Sequence, residues 1–169
     1  MLNGAQNAKL LSKLRRAMEV FEPYIFTKVA QLPFVMYETA ERLEKIPETS
    51  LFAPPAQRPS GLEWGGEGCY CWFLTQYTPP EELAGQPLYL YPELGGYEAM
   101  LWVDGQPYGT YATKIVVTRH GNHYCDRICA AAAPGTPIAL AIEFYAGHYV
   151  VGEQPFERRV HGDFRFTAK

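Results

Sequence analysis

The residues best suited to hold a metal are cysteines and histidines. The sequence contains four cysteines, and two histidines lie close to the second pair: Cys69, Cys71, Cys125, Cys129, His120 and His123. A structural zinc site takes four ligands of these types. Neither cysteine pair has the two-residue gap of a zinc ribbon, and cysteine is among the most buried residue types. The spacing therefore favours core cysteines, and we expect no metal and no cofactor in this chain.

No set of side chains has the spacing of a hydrolytic active site. Carboxylates are present, but no spacing singles out an acid–base pair among them: Glu63, Glu67, Asp104, Glu143 and Asp163. Ser12, Ser50 and Ser60 all lie outside a Gly-x-Ser-x-Gly elbow. Cys125 near His123 would be a nucleophile pair only if the fold brought the two side chains together. We therefore predict no catalytic residue in this chain.

Aromatic side chains offer a different chemistry, because their flat apolar faces can pack against a sugar ring. Aromatic residues make up 14% of the sequence. Trp72 and Trp102 fall within predicted strands and are expected in the core. Trp64, Tyr108 and Tyr111 fall in predicted loops or turns, where binding residues concentrate. These three are the candidate carbohydrate-binding residues.

Charge and composition exclude several classes of protein. The formal net charge is −3 and the pI is about 5.8, so no basic surplus is available for nucleic acid. Basic residues interrupt every apolar run near the N-terminus, and the apolar residues 138–145 are too few to span a bilayer. We expect no membrane partner, reduced thiols and a cytoplasmic location.

The N-terminal residues 5–25 have the periodicity of an amphipathic helix. Apolar side chains recur at steps of three and four residues: Leu10, Leu14, Met18, Phe21 and Ile25. Such a stripe packs on its own domain, on a missing neighbour or on a second copy of the chain. Leu10, Leu14, Met18 and Phe21 are the candidate interface residues. A second helix is predicted over residues 39–46, ending before Pro47.

The remainder of the sequence is typical of strands separated by turns. Residues 51–68 are rich in proline and glycine and are predicted to form a linker. Beyond it, Asp104-Gly105 predicts a tight hairpin, and the alanine-rich residues 125–133 predict a helical turn. Period-two segments predict strands at residues 69–77, 88–91, 97–103, 115–118, 137–145, 148–151 and 164–167.

These elements predict a mainly β protein. We expect an N-terminal helical segment over residues 1–50, the linker over residues 51–68 and a β-sandwich domain over residues 69–169. Many short strands with glycine and proline turns indicate an antiparallel β-sandwich or jelly roll. One or two α-helices precede it in the sequence.

Several short motifs between Trp72 and Gly152 stand in a characteristic order. They are Trp72-Phe73 on a strand, a Pro-Glu-Glu turn, an Ala84-Gly85 step, Glu98-Ala-Met-Leu-Trp-Val-Asp-Gly-Gln-Pro-Tyr-Gly109 and Leu140-Ala-Ile-Glu-Phe-Tyr-Ala146. The last two resemble the patterns E-x-x-L-x-V-D-G-x-P and L-x-I-E-x-x-A. In this order the motifs resemble the N-terminal domain of cytoplasmic-type glycoside hydrolase family 38 α-mannosidases.

The resemblance implies a β-sandwich that precedes the catalytic domain of an α-mannosidase and is not itself catalytic. In the family, zinc is held in that later domain by a His-x-His-x-Asp motif, and no two histidines here are separated by a single residue. We therefore expect a truncated chain whose partners are its own catalytic domain, further copies of itself and a mannose-containing sugar. The alternative is a stand-alone carbohydrate-binding module.

Overall fold

The computed structural model describes residues 3–52, 62–96, 98–112, 126–148 and 164–168. They belong to two compact units that divide between Gln31 and Leu32. The first unit contains helix α1 (Gly4–Ile25). The second contains strands β1 (Val35–Thr39), β2 (Leu62–Gly65), β3 (Tyr70–Tyr77), β4 (Leu88–Leu90), β5 (Glu98–Val103), β6 (Gln106–Ala112), β7 (Asp126–Cys129), β8 (Ile138–Tyr145) and β9 (Arg165–Ala168).

Helix α1 begins with a capping box. The Asn3 side chain accepts a hydrogen bond from the Gln6 backbone N–H, and the Gln6 side chain accepts one from the Asn3 N–H, both at 2.9 Å. This satisfies two of the backbone donors that a helix leaves unpaired at its start. The helix ends at Ile25, before the extended residue Phe26. The first predicted helix is confirmed.

The main sheet has five antiparallel strands in the order β1-β3-β8-β5-β6. Strand β8 is central, pairing with β3 on one side and with β5 on the other. Two smaller antiparallel sheets, β2–β9 and β4–β7, complete the described strands. The chain is therefore mainly β, and the prediction of an antiparallel β-sandwich preceded by a helix is confirmed.

Side chains alternate between the two faces of the main sheet. One face, here called the first face, carries Phe73, Leu101 and Phe144 and packs against Trp64 of β2 and Ile128 of β7. This contact between the main sheet and the small sheets forms the larger hydrophobic core. The opposite side, the second face, carries Trp72, Ala141, Trp102 and Glu143.

Residues 43–52 cover part of the second face. Leu43, Ile46 and Phe52 pack there against Trp72 and form a smaller core. The prediction of a second helix over residues 39–46 is wrong. Thr39 is the last residue of β1, and its side chain hydrogen-bonds to both the N–H and the carbonyl of Glu41, which turns the chain away from a helical path.

Two further segments differ from their predicted structure. Residues 62–65, inside the expected linker, form β2 and pair with β9. Residues 126–129 form β7 rather than a helical turn, because pairing with β4 places Ile128 in the core. The Asp104-Gly105 hairpin is confirmed, with φ angles of 49° and 76°. The strand expected at residues 115–118 and most of the one at 148–151 lie outside the described residues.

Candidate functional site

The candidate sugar-binding residues differ in exposure. Trp64 and Tyr111 are each only 1% exposed, and both lie in the larger core. The Trp64 indole N–H donates to the Leu94 carbonyl at 2.6 Å. The prediction that Trp64, Tyr108 and Tyr111 lie in loops or turns is wrong, because Trp64 belongs to β2 and both tyrosines belong to β6.

Tyr108 is the candidate whose ring reaches solvent. It lies on β6, is 49% exposed and donates its hydroxyl to the Arg127 carbonyl at 2.6 Å. The hydrogen bond fixes one end of the side chain and leaves the ring accessible. Of the three candidates, Tyr108 alone has an exposed face to offer a ligand.

The carboxylates considered for acid–base chemistry lie in different settings. Glu63, Glu67 and Asp104 are exposed, Glu143 is buried, and Asp163 lies outside the described residues. Asp104 stands at the β5–β6 hairpin, where its carboxylate accepts the Ala139 backbone N–H at 2.9 Å. Ser12 and Ser50 are exposed, while Ser60, His123 and Cys125 are outside the described residues.

Glu143 is the buried charge of the main sheet. It lies on β8, opposite Trp72 on β3 and Met100 on β5, and is 6% exposed. Burial raises the pKa of its carboxyl, whereas the Leu43 backbone N–H, the Arg42 guanidinium and the Trp72 indole N–H lower that pKa. Its Oε1 atom has no hydrogen-bond partner among the residues that the structure describes. The carboxyl therefore lies against Arg42 and Leu43, and its burial closes it to a substrate.

Two indole rings lie beside Glu143 on the second face. The ring centroids of Trp72 and Trp102 are 6.2 Å apart, with 42° between the ring planes. Both Nε1 atoms are buried; the Trp72 N–H acts on the Glu143 carboxyl, but neither N–H makes a hydrogen bond of normal geometry within the described part of the chain. Trp72 is fully buried as predicted, and Trp102 packs against the smaller core with part of its surface exposed.

A partly exposed aromatic and acidic patch lies at one end of the second face. Tyr70 and Tyr145 are opposite each other on β3 and β8, with ring centroids 4.8 Å apart. The Tyr145 hydroxyl is hydrogen-bonded to Nδ1 of His148. Burial raises the pKa of the Tyr145 phenol, and the neighbouring Tyr70, Glu67 and Glu98 raise it further. No sequence pattern indicates this patch, because only the strand register brings its members together.

The thiols are in environments that disfavour the thiolate. Cys69 and Cys71 are free, and burial together with the Glu38 carboxylate raises the pKa of each thiol. The thiolate is the form that binds metals. Over residues 3–52, 62–96, 98–112, 126–148 and 164–168, no group of three or more potential ligands could hold a metal ion. His120, His123 and Cys125 lie outside those ranges.

The candidate interface residues lie on one stripe of α1. Leu10, Leu14, Met18 and Phe21 are between 46% and 65% exposed. The stripe is therefore open to a partner. No helix in the described part of the chain has both the length and the apolar character needed to cross a bilayer.

Comparisons with known proteins give one likeness. No family model and no curated protein matches the sequence. Among solved structures, a β-glucuronidase of Faecalibacterium prausnitzii is similar at 16% identity and a TM-score of 0.48, over 71% of this chain and 21% of that chain. This chain thus spans about a fifth of the β-glucuronidase chain. A likeness at this level supports no conclusion about activity.

Proposed function

We propose that this chain is the non-catalytic N-terminal β-sandwich domain of an α-mannosidase-like glycoside hydrolase. It packs on a catalytic domain outside this sequence and supports assembly of an oligomer. The observation that carries the proposal is the placement of the family-like motifs. Residues 98–109 form most of the β5–β6 hairpin, and all but the last of residues 140–146 lie in β8, to which β5 is paired.

One acidic residue of each motif serves the scaffold. Asp104 hydrogen-bonds the hairpin to β8, and Glu143 is buried beside Arg42 and Leu43. A retaining glycosidase needs two carboxylates that flank the bond being broken. Neither Asp104 nor Glu143 is arranged for that role, which supports a structural function for the motifs. By resemblance, the zinc and the nucleophile belong to the catalytic domain.

The test begins with the coding sequence downstream of Lys169. We expect it to continue into a segment with a His-x-His-x-Asp motif. The product of the whole reading frame should hydrolyse an aryl α-mannoside and lose activity when a chelator removes zinc, while residues 1–169 alone should be inactive. Hydrolysis by residues 1–169 alone, or a whole product without mannosidase activity, would contradict the proposal.

Carbohydrate binding is the second candidate function, because exposed aromatic rings remain available on the sandwich. Tyr108 is half exposed. Tyr70 and Tyr145 supply the two rings of the aromatic and acidic patch on the second face. Mannose and mannobiose should then shift backbone amide signals near one of these sites in an NMR titration. The variants Tyr108→Ala and Tyr70→Ala distinguish the two positions. Unchanged spectra at high sugar concentration would exclude this function.

A further inference from the structure

Helix α1 carries an apolar seam of the kind that pairs two helices. Its residues follow alternating steps of three and four: Leu11, Leu14, Met18, Phe21 and Ile25. This is the heptad spacing of a coiled-coil contact. All five side chains are more than half exposed, at 52% to 65%. A contiguous exposed apolar stripe of this length indicates a surface that is covered in the assembled protein.

The charges of α1 are arranged unfavourably for a helix on its own. Residues 4–16, here called the basic segment, contain Lys9, Lys13, Arg15 and Arg16 and no acidic residue. Residues 17–25, here called the acidic segment, contain Glu19 and Glu22 and no basic residue. The positive end of the helix dipole is at the N-terminus and the negative end is at the C-terminus. The basic segment therefore includes the positive end of the dipole of α1, and the acidic segment includes the negative end.

We propose that α1 pairs in antiparallel orientation with α1 of a second copy of this chain. The basic segment of each helix then lies beside the acidic segment and the negative dipole end of the other. The same surface serves both copies, as a two-fold interface requires. A parallel pair would instead place the two basic segments side by side. This pairing rests on the proposed role in oligomer assembly and specifies the surface involved.

The seam is tested with two aspartate substitutions of matched chemistry. Met18→Asp places a charge in the seam. Val20→Asp places the same charge two residues away, on the opposite side of the helix, where Val20 is 55% exposed. Sedimentation equilibrium should show a dimer that Met18→Asp weakens by about a hundredfold or more and that Val20→Asp leaves nearly unchanged. Circular dichroism verifies that both variants stay helical.

The charge complementarity of the antiparallel pair is tested with Arg15 and Lys9. Arg15 follows the seam residue Leu14, whereas Lys9 lies on the side of the helix opposite Met18. Arg15→Glu should weaken the dimer by about two- to fivefold, and added salt should reduce the difference. Lys9→Glu makes the same change in net charge and should have a smaller effect.

Orientation is tested by the distance between spin labels carried on a non-natural residue at position 5 of each copy. An antiparallel pair separates the labels by about 40 Å, while a parallel pair, in which position 5 faces away from the partner helix, leaves them about 20 Å apart. The shorter distance, a monomer at high concentration, or a dimer that Met18→Asp does not weaken would each overturn the inference. Mannoside hydrolysis is measured separately, so loss of pairing and loss of the domain assignment are distinguishable.

Discussion

Asp104 and Ala139 exchange two hydrogen bonds. The Asp104 backbone N–H donates to the Ala139 carbonyl at 2.8 Å, and the Asp104 carboxylate accepts the Ala139 N–H at 2.9 Å. Asp104 also has a φ of 49°, in the left-handed region that aspartate and asparagine tolerate better than most residues. One side chain therefore closes the β5–β6 hairpin and attaches it to the central strand β8.

Asp104→Ala should destabilise the sandwich by about 1–3 kcal/mol, because it removes the acceptor and leaves alanine in a left-handed conformation. Asp104→Asn keeps an acceptor oxygen and a tolerant backbone, so it should be clearly milder. Urea denaturation followed by tryptophan fluorescence gives both values. Equal losses in the two variants would show that the Ala139 hydrogen bond contributes nothing.

Glu143→Gln should stabilise the protein near neutral pH. Burial raises the pKa of the Glu143 carboxyl, so the folded state binds a proton more tightly than the unfolded state does. The native protein therefore loses stability as pH rises from the ordinary carboxyl pKa through the raised one. Glutamine does not ionise. The stability that Glu143→Gln adds to the folded state should therefore grow with pH and disappear in acid.

The control for this prediction is Glu98→Gln, which removes a carboxylate from an exposed position of the same face. Thermal unfolding between acidic and weakly alkaline pH should show the pH-dependent difference only at position 143. A Glu143→Gln variant that is less stable than the native protein at neutral pH would show that the ionised carboxylate is favourable where it lies.

Gly96→Ala should be far more destabilising than Gly85→Ala. Both glycines have positive φ angles, 82° and 72°, so the backbone strain of about 1–2 kcal/mol is common to both. A Cβ atom at position 96 would lie 2.7 Å from a Phe144 ring carbon and 3.0 Å from the Trp64 ring, whereas position 85 has no atom within 4 Å. Chemical denaturation of both variants measures the difference, and equal losses would refute the steric argument.

Glu38→Gln should speed the alkylation of Cys69. Burial, followed by the Glu38 carboxylate, raises the pKa of the Cys69 thiol. A neutral glutamine removes the charge and can still accept the Gly65 N–H, which Glu38 Oε1 accepts at 2.7 Å. Mass spectrometry of iodoacetamide reaction against pH gives the rates, with Cys129 of the same protein as the control. An unchanged pH profile at Cys69 would exclude the electrostatic effect.

Local sequence patterns were sufficient to predict the elements whose contacts are close in sequence. The helical spacing of residues 5–25 predicted α1, and Asp104-Gly105 predicted the hairpin because few residues accept positive φ in two successive positions. Period-two segments likewise predicted β3, β5 and β8 within one residue of their observed ends.

Contacts between segments that are distant in sequence determine the structure of the other elements. Alanine-rich sequence favours a helix, yet residues 126–129 gain more by pairing with β4 and burying Ile128. Trp64 follows a proline- and glycine-rich stretch but is held in the core by pairing with Phe166 of β9. The patch of Tyr70 and Tyr145 depends on the register between β3 and β8, which no local pattern specifies.

The central position of β8 determines when this sheet can form. Its neighbour β3 ends at Tyr77, while β8 begins at Ile138, and without β8 the β1–β3 and β5–β6 pairs have no contact through the sheet. Such long-range pairing is slow, and a chain made from its N-terminus completes β8 late. Until then the apolar side chains of both pairs face water. Newly synthesised chains are therefore expected to be most prone to aggregate in the interval before residue 145 leaves the ribosome.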